Sequence, residues 1–175
     1  MLDPQSRCSS GHTVTFAWAP PSASTTAIES AVDALFLAIS TPERRWNMWT
    51  KNAVRSEFRK RLEAAERGEL HPVDHVKRIG RASAVDMFEI RWQGITVHEV
   101  DGDGVVAYPI ILARLLHVEP PEHPDHFAGI RAHEKQIGTN DAETTLLQNA
   151  EIDAAVGTFW QYEPSDWGIS PETTS

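Results

Sequence analysis

The sequence predicts an α+β fold: an N-terminal strand and two helices packed on an antiparallel sheet, followed by a C-terminal helix. Three observations carry that prediction. Residues 12–18 alternate apolar and polar side chains at β-branched positions, the pattern of a half-buried strand. The next stretches place their apolar residues at helical spacing. Residues 108–135 then hold a nearly continuous apolar run that Pro120 and Pro121 interrupt. Prolines fix φ and cannot donate to a ladder, so the run reads as two strands joined by a loop.

In chain order, residues 1–12 are polar without periodicity and are expected as a flexible leader. The strand ending at Trp18 stops at Pro20-Pro21. Ser22 or Ser24 is suited to cap a helix reaching Ile39, with Ile28, Val32, Leu35 and Phe36 on one stripe. Thr41-Pro42-Glu43 predicts a second helix start: a capping residue, proline at the first helical position, then an acid. Its apolar stripe holds Trp46, Trp49, Val54, Phe58 and Leu62, which assigns both tryptophans to the core, and it ends near Gly68. Residues 76–80 read as a loop or short strand. Residues 87–92 form a strand with Phe88, Ile90 and Trp92 on one face and Glu89 and Arg91 side by side on the other. A turn at Gln93-Gly94, a short strand over 97–100 and a turn at 101–104 lead into the long hairpin. Thr139 or Asn140 caps a helix through Val156. The domain is expected over residues 13–157, with 158–175 as an acidic tail.

A chain of 175 residues with 41% hydrophobic content suits one globular domain. No apolar run has the length of a membrane span, and the start lacks the pattern of a signal peptide, so the expected compartment is the cytoplasm. Cys8 is the single cysteine and has no internal disulfide partner. The net charge of −9 is unevenly spread: Arg44 to Arg91 contains 12 of the 16 basic residues, whereas Gly138 to the end has seven acids and no Lys or Arg. A basic middle suits an anionic partner, and the acidic end is suited to fold over that surface and mask it. Charge sorted to solvated faces accounts for the asymmetry equally well.

The candidate chemistry narrows by elimination. No Gly-rich phosphate loop follows a strand, and no nucleophile elbow or cysteine–histidine arrangement stands out. His117, Glu119, Glu122, His123, Asp125, His126, His133 and Glu134 are dense, yet match no ligand spacing with a mechanism, so no metal or cofactor is expected. What remains is Glu89, Arg91, Arg114, His133 and Lys135 on successive strands. An imidazole or carboxylate beside several cations can take a proton from a ribose hydroxyl and stabilise charge on a reacting phosphate. The same residues also suit a ladder of cross-strand ion pairs. The basic face of the second helix, with Arg55 and Arg59, is suited to tracking phosphates. It is suited equally to solvation with i,i+4 pairs such as Glu63 with Arg67.

The segments Met87-Phe88-Glu89-Ile90-Arg91-Trp92, Leu112-Ala113-Arg114-Leu115-Leu116 and Ile130-Arg131-Ala132-His133-Glu134-Lys135, with the later stretch over 149–155, resemble the RelE/ParE toxin superfamily, particularly its phage-derived HigB-like branch. The resemblance covers roughly residues 70–156. It implies a RelE-like fold and the toxin of a type II toxin–antitoxin system: a metal-independent endoribonuclease cutting messenger RNA on the ribosome, neutralised by a cognate antitoxin protein. Carried over, it implies that Arg91 and Arg114 hold the scissile phosphate, Lys135 stabilises charge, and His133 is acid or base, with Glu89 the alternative base. Arg55, Arg59, Lys77 and Arg78 are the RNA-binding residues of this reading. ParE-like members imply the alternative, a non-catalytic protein that binds and inhibits a host protein.

Overall fold

A computed structural model describes residues 5–80 and 85–169. Residues 1–4, 81–84 and 170–175, which include the outer ends of the expected leader and tail, lie outside the described residues. The strands are β1 (Thr15–Trp18), β2 (Val76–Arg78), β3 (Met87–Thr96), β4 (Glu99–Val100), β5 (Val106–Ala107), β6 (Ile110–Val118) and β7 (His126–Glu134). The helices are α1 (Ala27–Ala38), α2 (Met48–Glu66) and α3 (Asp141–Tyr162), with short 3-10 segments at Arg7–Ser9 and Glu163–Gly168. Five strands form one sheet in the order β1-β7-β6-β3-β2, and β4-β5 form a separate ribbon.

The sheet is mixed, which corrects the expected antiparallel arrangement. β2, β3, β6 and β7 pair antiparallel, but β1 runs parallel to β7, with Thr15 opposite His126 and Trp18 opposite Gly129. Period-2 alternation specifies which face of β1 is buried; it carries no information on the direction of its neighbour. At Gly129 a Cβ would stand 2.7 Å from the Trp18 ring and 2.9 Å from that of Phe16, so a glycine lets β1 lay its aromatics across β7.

Alternation sorts each strand between two layers. Phe88, Ile90 and Trp92 of β3 join Ala113, Leu115 and Phe127 beneath α1 (Val32, Leu35, Ile39) and α2 (Phe58, Leu62, Ala65). Met87, Leu116, Val118, Ala128 and Ile130 pack on the opposite side against Ala155, Ile152 and Val156 of α3. Two register shifts adjust the pleat. One lies between Trp92 and Ile95, so Gln93-Gly94 is a bulge inside a continuous β3 and not the expected turn. The other lies between Leu116 and His117 and leaves Ile130 without an opposite residue.

Both helix starts differ from expectation. Thr26, not Ser22 or Ser24, caps α1, its side chain accepting from the Glu29 N–H. Asn47 caps α2, six residues after the expected cap at Thr41. The chain between makes one turn, closed by Arg44 N donating to Thr41 O at 3.1 Å, and is then held by long-range partners: Arg45 N donates to His98 O at 2.8 Å and Val100 N to Glu43 O at 2.9 Å. Arg44 donates to Glu99, Glu134 and the Ile39 carbonyl. Those bonds outcompete a helical turn that sequence alone favours. The late start also moves Trp49 out of the core, where it is 80% exposed, while Trp46 packs on Phe36 at 5.0 Å. Gly68 ends the helix as expected: its φ is +68°, and a Cβ would meet His12 O at 2.5 Å.

The ends are also better anchored than expected. Residues 5–12 are no free leader, since Ser6 and Cys8 are buried and Arg7 donates to the His123, His126 and Pro120 carbonyls. The boundary set at residue 157 falls inside α3, which continues to Tyr162. Trp167 folds back onto Phe159 at 4.9 Å and donates its indole N–H to Phe159 O at 3.0 Å. Among the described residues, no helix is long and apolar enough to cross a membrane.

Phe58 is fully buried and meets Trp92 edge-on at 5.3 Å, so it couples α2 to the centre of β3. Phe58→Ala should cost about 3–5 kcal/mol of stability. Urea titration followed by circular dichroism checks this; a loss below about 1 kcal/mol would mean that α2 does not rest on β3 as described.

Candidate functional site

The site follows from register. Arg91 on β3 lies opposite Arg114 on β6, which lies opposite His133 on β7, so three polar side chains line up across three strands on the α3 face. Glu89, two residues back on β3, shares that face and sits opposite Lys77 of β2. Lys135 follows β7 directly, its N–H donating to Leu112 O at 2.7 Å.

Like charges directly opposite are unfavourable in a ladder. Here Glu89 reaches between them: its carboxylate oxygens stand 3.3 Å from Arg91 Nε and 3.7 Å from Arg114 Nε. Arg114 is only 1% exposed, and its Nη1 donates to Trp92 O at 3.1 Å and Ala113 O at 2.8 Å. Arg91 donates to Val73 O at 2.9 Å, and Arg61 of α2 donates to Arg91 O. The cations are thus fixed to backbone, which costs little further ordering when an anion arrives.

Together these side chains floor a half-open cleft of about 290 Å³, walled by Ile79 and Gly80 on one side and by Gln148, Asn149 and Ile152 of α3 on the other. Lys77, Arg78, Arg91, Arg114 and Lys135 line it against one carboxylate, Glu89. Arg78 is paired with Asp86 at 2.7 Å. The remaining excess of positive charge suits the cleft to an anion.

Burial pulls the Arg114 guanidinium below its ordinary range, opposed by Glu89, and it remains cationic. Burial and then the Arg114 charge hold the Lys135 ammonium below its usual range. Burial likewise pulls His133 down from its ordinary value of 6.5, with the Glu151 charge acting against it. His133 is therefore a neutral imidazole at pH 7, able to accept a proton. Neutral imidazole, fixed cations and an anion-sized cleft are the parts needed for proton transfer beside a phosphate.

The five residues expected to be catalytic, Glu89, Arg91, Arg114, His133 and Lys135, are brought together, and Lys77 and Arg78 border the same cleft. Arg55 and Arg59 are not part of it. They lie on α2, in the layer beyond the opposite sheet face, where Arg55 meets Asp33 at 2.6 Å and Arg59 donates to Glu29. Their partners are acids of α1, so these two arginines are engaged in helix–helix pairing. Among the described residues the acidic end does not cover the floor as a tail: α3 supplies one wall and Glu151 pairs with Arg131, while residues 163–169 pack toward β1.

Two features escaped the sequence reading. Gln148 and Asn149 were signalled only by amides interrupting an apolar helical stripe. The second is a buried cluster on the other sheet face, Cys8, His117 and Glu119. Burial, reinforced by Glu119, pushes the Cys8 thiol far up. Burial works against ionisation of Glu119, but donors from His117, Ser6 and the Arg7 N–H hold its carboxyl below the usual range. No protein-family model, curated protein or solved structure matches this chain.

The lowered His133 value has a defined consequence for stability. The unfolded chain binds a proton at this residue near 6.5 and the folded chain binds it only at lower pH, so His133 makes stability fall as pH drops below 6.5. An NMR titration should place its midpoint below 6.5, and lower still in Glu151→Gln, where the opposing charge is gone. A midpoint at or above 6.5 would mean that the imidazole is not desolvated under α3.

Proposed function

We propose that this chain is the toxin of a type II toxin–antitoxin system, a RelE/HigB-like endoribonuclease that cuts messenger RNA on the ribosome and is neutralised by a cognate antitoxin protein. One observation carries the reading: Arg91, Arg114, His133 and Lys135 converge on a single half-open cleft. Dispersed or mutually neutralised positions would have favoured a protein-binding relative or a plain interaction domain instead.

In this reading Arg91, Arg114 and Lys135 hold the scissile phosphate and stabilise the charge that builds on its oxygens. His133, neutral at working pH, takes the proton from the neighbouring ribose 2′-hydroxyl. Glu89 is already committed to two guanidinium groups, so its role is to orient them, and the proton falls to His133. The cleft volume of about 290 Å³ sits at the small end of ligand sites, which run from about 300 to 1,000 Å³. That suits one phosphodiester with its sugar, presented by a single strand, and not a duplex.

A second reading has its own support. Leu37, Met48 and Trp49 are exposed apolar side chains on the α1–α2 layer, away from the cleft. They favour a non-catalytic relative that inhibits a host protein through that layer.

Induced expression in bacteria separates the two. Under the first reading the wild type arrests growth, and His133→Ala with Lys135→Ala restores it; under the second, both arrest. With purified protein, translating ribosomes and a defined message, His133→Ala should lower cleavage by about 10²–10⁴-fold, the usual contribution of a general base. Unchanged cleavage in a folded His133→Ala protein would end the proposed role of this residue.

A further inference from the structure

Three donor atoms meet at one buried point on the α1–α2 side of the sheet. Cys8 Sγ lies 3.7 Å from His117 Nε2, which lies 3.2 Å from Glu119 Oε1, and all three atoms fall within 4.8 Å of one another. His117 is clamped between Phe88, stacked at 5.6 Å, and Phe127, edge-on at 5.4 Å. The Ser6 hydroxyl donates to Glu119 Oε1 at 2.6 Å, and Arg7 N donates to both carboxylate oxygens at 3.0 Å, so the acid is held in place independently of the imidazole.

Hydrogen bonding leaves this cluster incomplete. If Nε2 carries a proton it satisfies Glu119, and the thiol proton has no acceptor at the ring. If Nε2 carries a lone pair it accepts from the thiol, but that lone pair then meets a carboxylate oxygen at 3.2 Å. The far nitrogen, Nδ1, is buried with no partner among the described residues, so nothing on that side fixes the tautomer. Each protonation state leaves a contact among Sγ, Nε2 and Oε1 either unmade or repulsive in the core, and a cation held by all three atoms removes that conflict.

We propose that Cys8, His117 and Glu119 are the ligands of a structural divalent metal site of the zinc type. Tetrahedral zinc, at about 2.3 Å to sulfur and about 2.0–2.1 Å to nitrogen and oxygen, sets ligand–ligand edges of about 3.6 Å for S–N and 3.3 Å for N–O. The separations here are 3.7 and 3.2 Å. Thiolate with imidazole selects zinc-like ions over magnesium or calcium, which take oxygen ligands. Binding breaks the Cys8 S–H bond, forms the metal–sulfur bond and releases that proton to solvent; the imidazole keeps its single proton on Nδ1. Thiolate and carboxylate together neutralise the divalent charge, so the buried unit carries none. The fourth position is left to a water or to the neighbouring Ser6 hydroxyl. The site ties the N-terminal segment to the end of β6, and its function is stability. It is independent of the cleft, which lies on the other face of the sheet.

The test uses the untagged full chain. Elemental analysis after dialysis against metal-free buffer should find one zinc per chain. Protein refolded with cobalt(II) should show a thiolate-to-cobalt charge-transfer band; the chain has one cysteine, so the band can arise only from Cys8. Added zinc should raise the thermal midpoint of the metal-free wild type but not of Cys8→Ala. Absence of stoichiometric metal together with absence of the cobalt–thiolate band in the wild type would overturn the site, as would a Cys8→Ala protein that keeps its zinc-dependent stabilisation. Should Cys8→Ala fail to fold, the wild-type cobalt spectrum decides alone.

Discussion

The structure turns on a guanidinium buried in the middle of a sheet. Arg114 is flanked by Arg91 on one strand and His133 on the next, and it is almost out of contact with water. A charge in that position requires a counter-charge and acceptors within reach, because losing one partner of a buried pair typically costs about 3–5 kcal/mol. Glu89 and the Trp92 and Ala113 carbonyls meet the requirement. Their placement then constrains everything above them. Helix α3 cannot close down on this part of the sheet with an apolar stripe, so it covers the apolar half with Ile152, Ala155 and Val156 and turns Gln148 and Asn149 toward the charges. The cleft is the gap left by a helix that is apolar for only part of its length.

The opposite face has the converse logic. There α1 and α2 bury a continuous aromatic and aliphatic layer, and their charges are sent outward into pairs with one another. One long-range knot links the layers: Arg44, drawn from the α1–α2 connection, donates both to Glu134 at the end of β7 and to Glu99 of the ribbon. Hydrogen bonds that Arg44 donates to Glu134 and then Glu99 raise its pKa against the effect of burial. That knot fixes the end of β7, from which Lys135 projects, so the position of one cleft cation is set by a residue in the helical layer.

Much of this was legible because it is local. Alternation in residues 87–92 was sufficient to put Glu89 and Arg91 on one face and Phe88, Ile90 and Trp92 on the other. The proline break predicted the β6–β7 hairpin, and with it the meeting of Arg114, His133 and Lys135. What could not be read was decided by distant partners. The direction of β1 depends on β7, the start of α2 on backbone bonds to residues 98 and 100, and the fate of Arg55 and Arg59 on acids of α1. Cys8 looked like part of a polar leader because its surroundings in sequence are polar. Its surroundings in space are His117 and Glu119, more than a hundred residues away.

The charge of the chain gains a meaning once the cleft is placed. A net −9 would repel a nucleic acid over most of the surface, and long-range attraction is screened within about 8 Å at physiological salt. Arg55 and Arg59 of α2, expected as RNA-binding residues, are paired with Glu29 and Asp33 of α1. Under the proposed function, productive contact with an anionic strand is confined to the cleft, where Arg91 and Arg114 are held by backbone carbonyls and Glu89. If the proposed function holds, such a protein gains little from free RNA in bulk and depends on a strand being presented to it. That dependence is what the proposed function requires, a strand presented by the ribosome, and under that proposal an acidic chain and a cationic cleft are compatible.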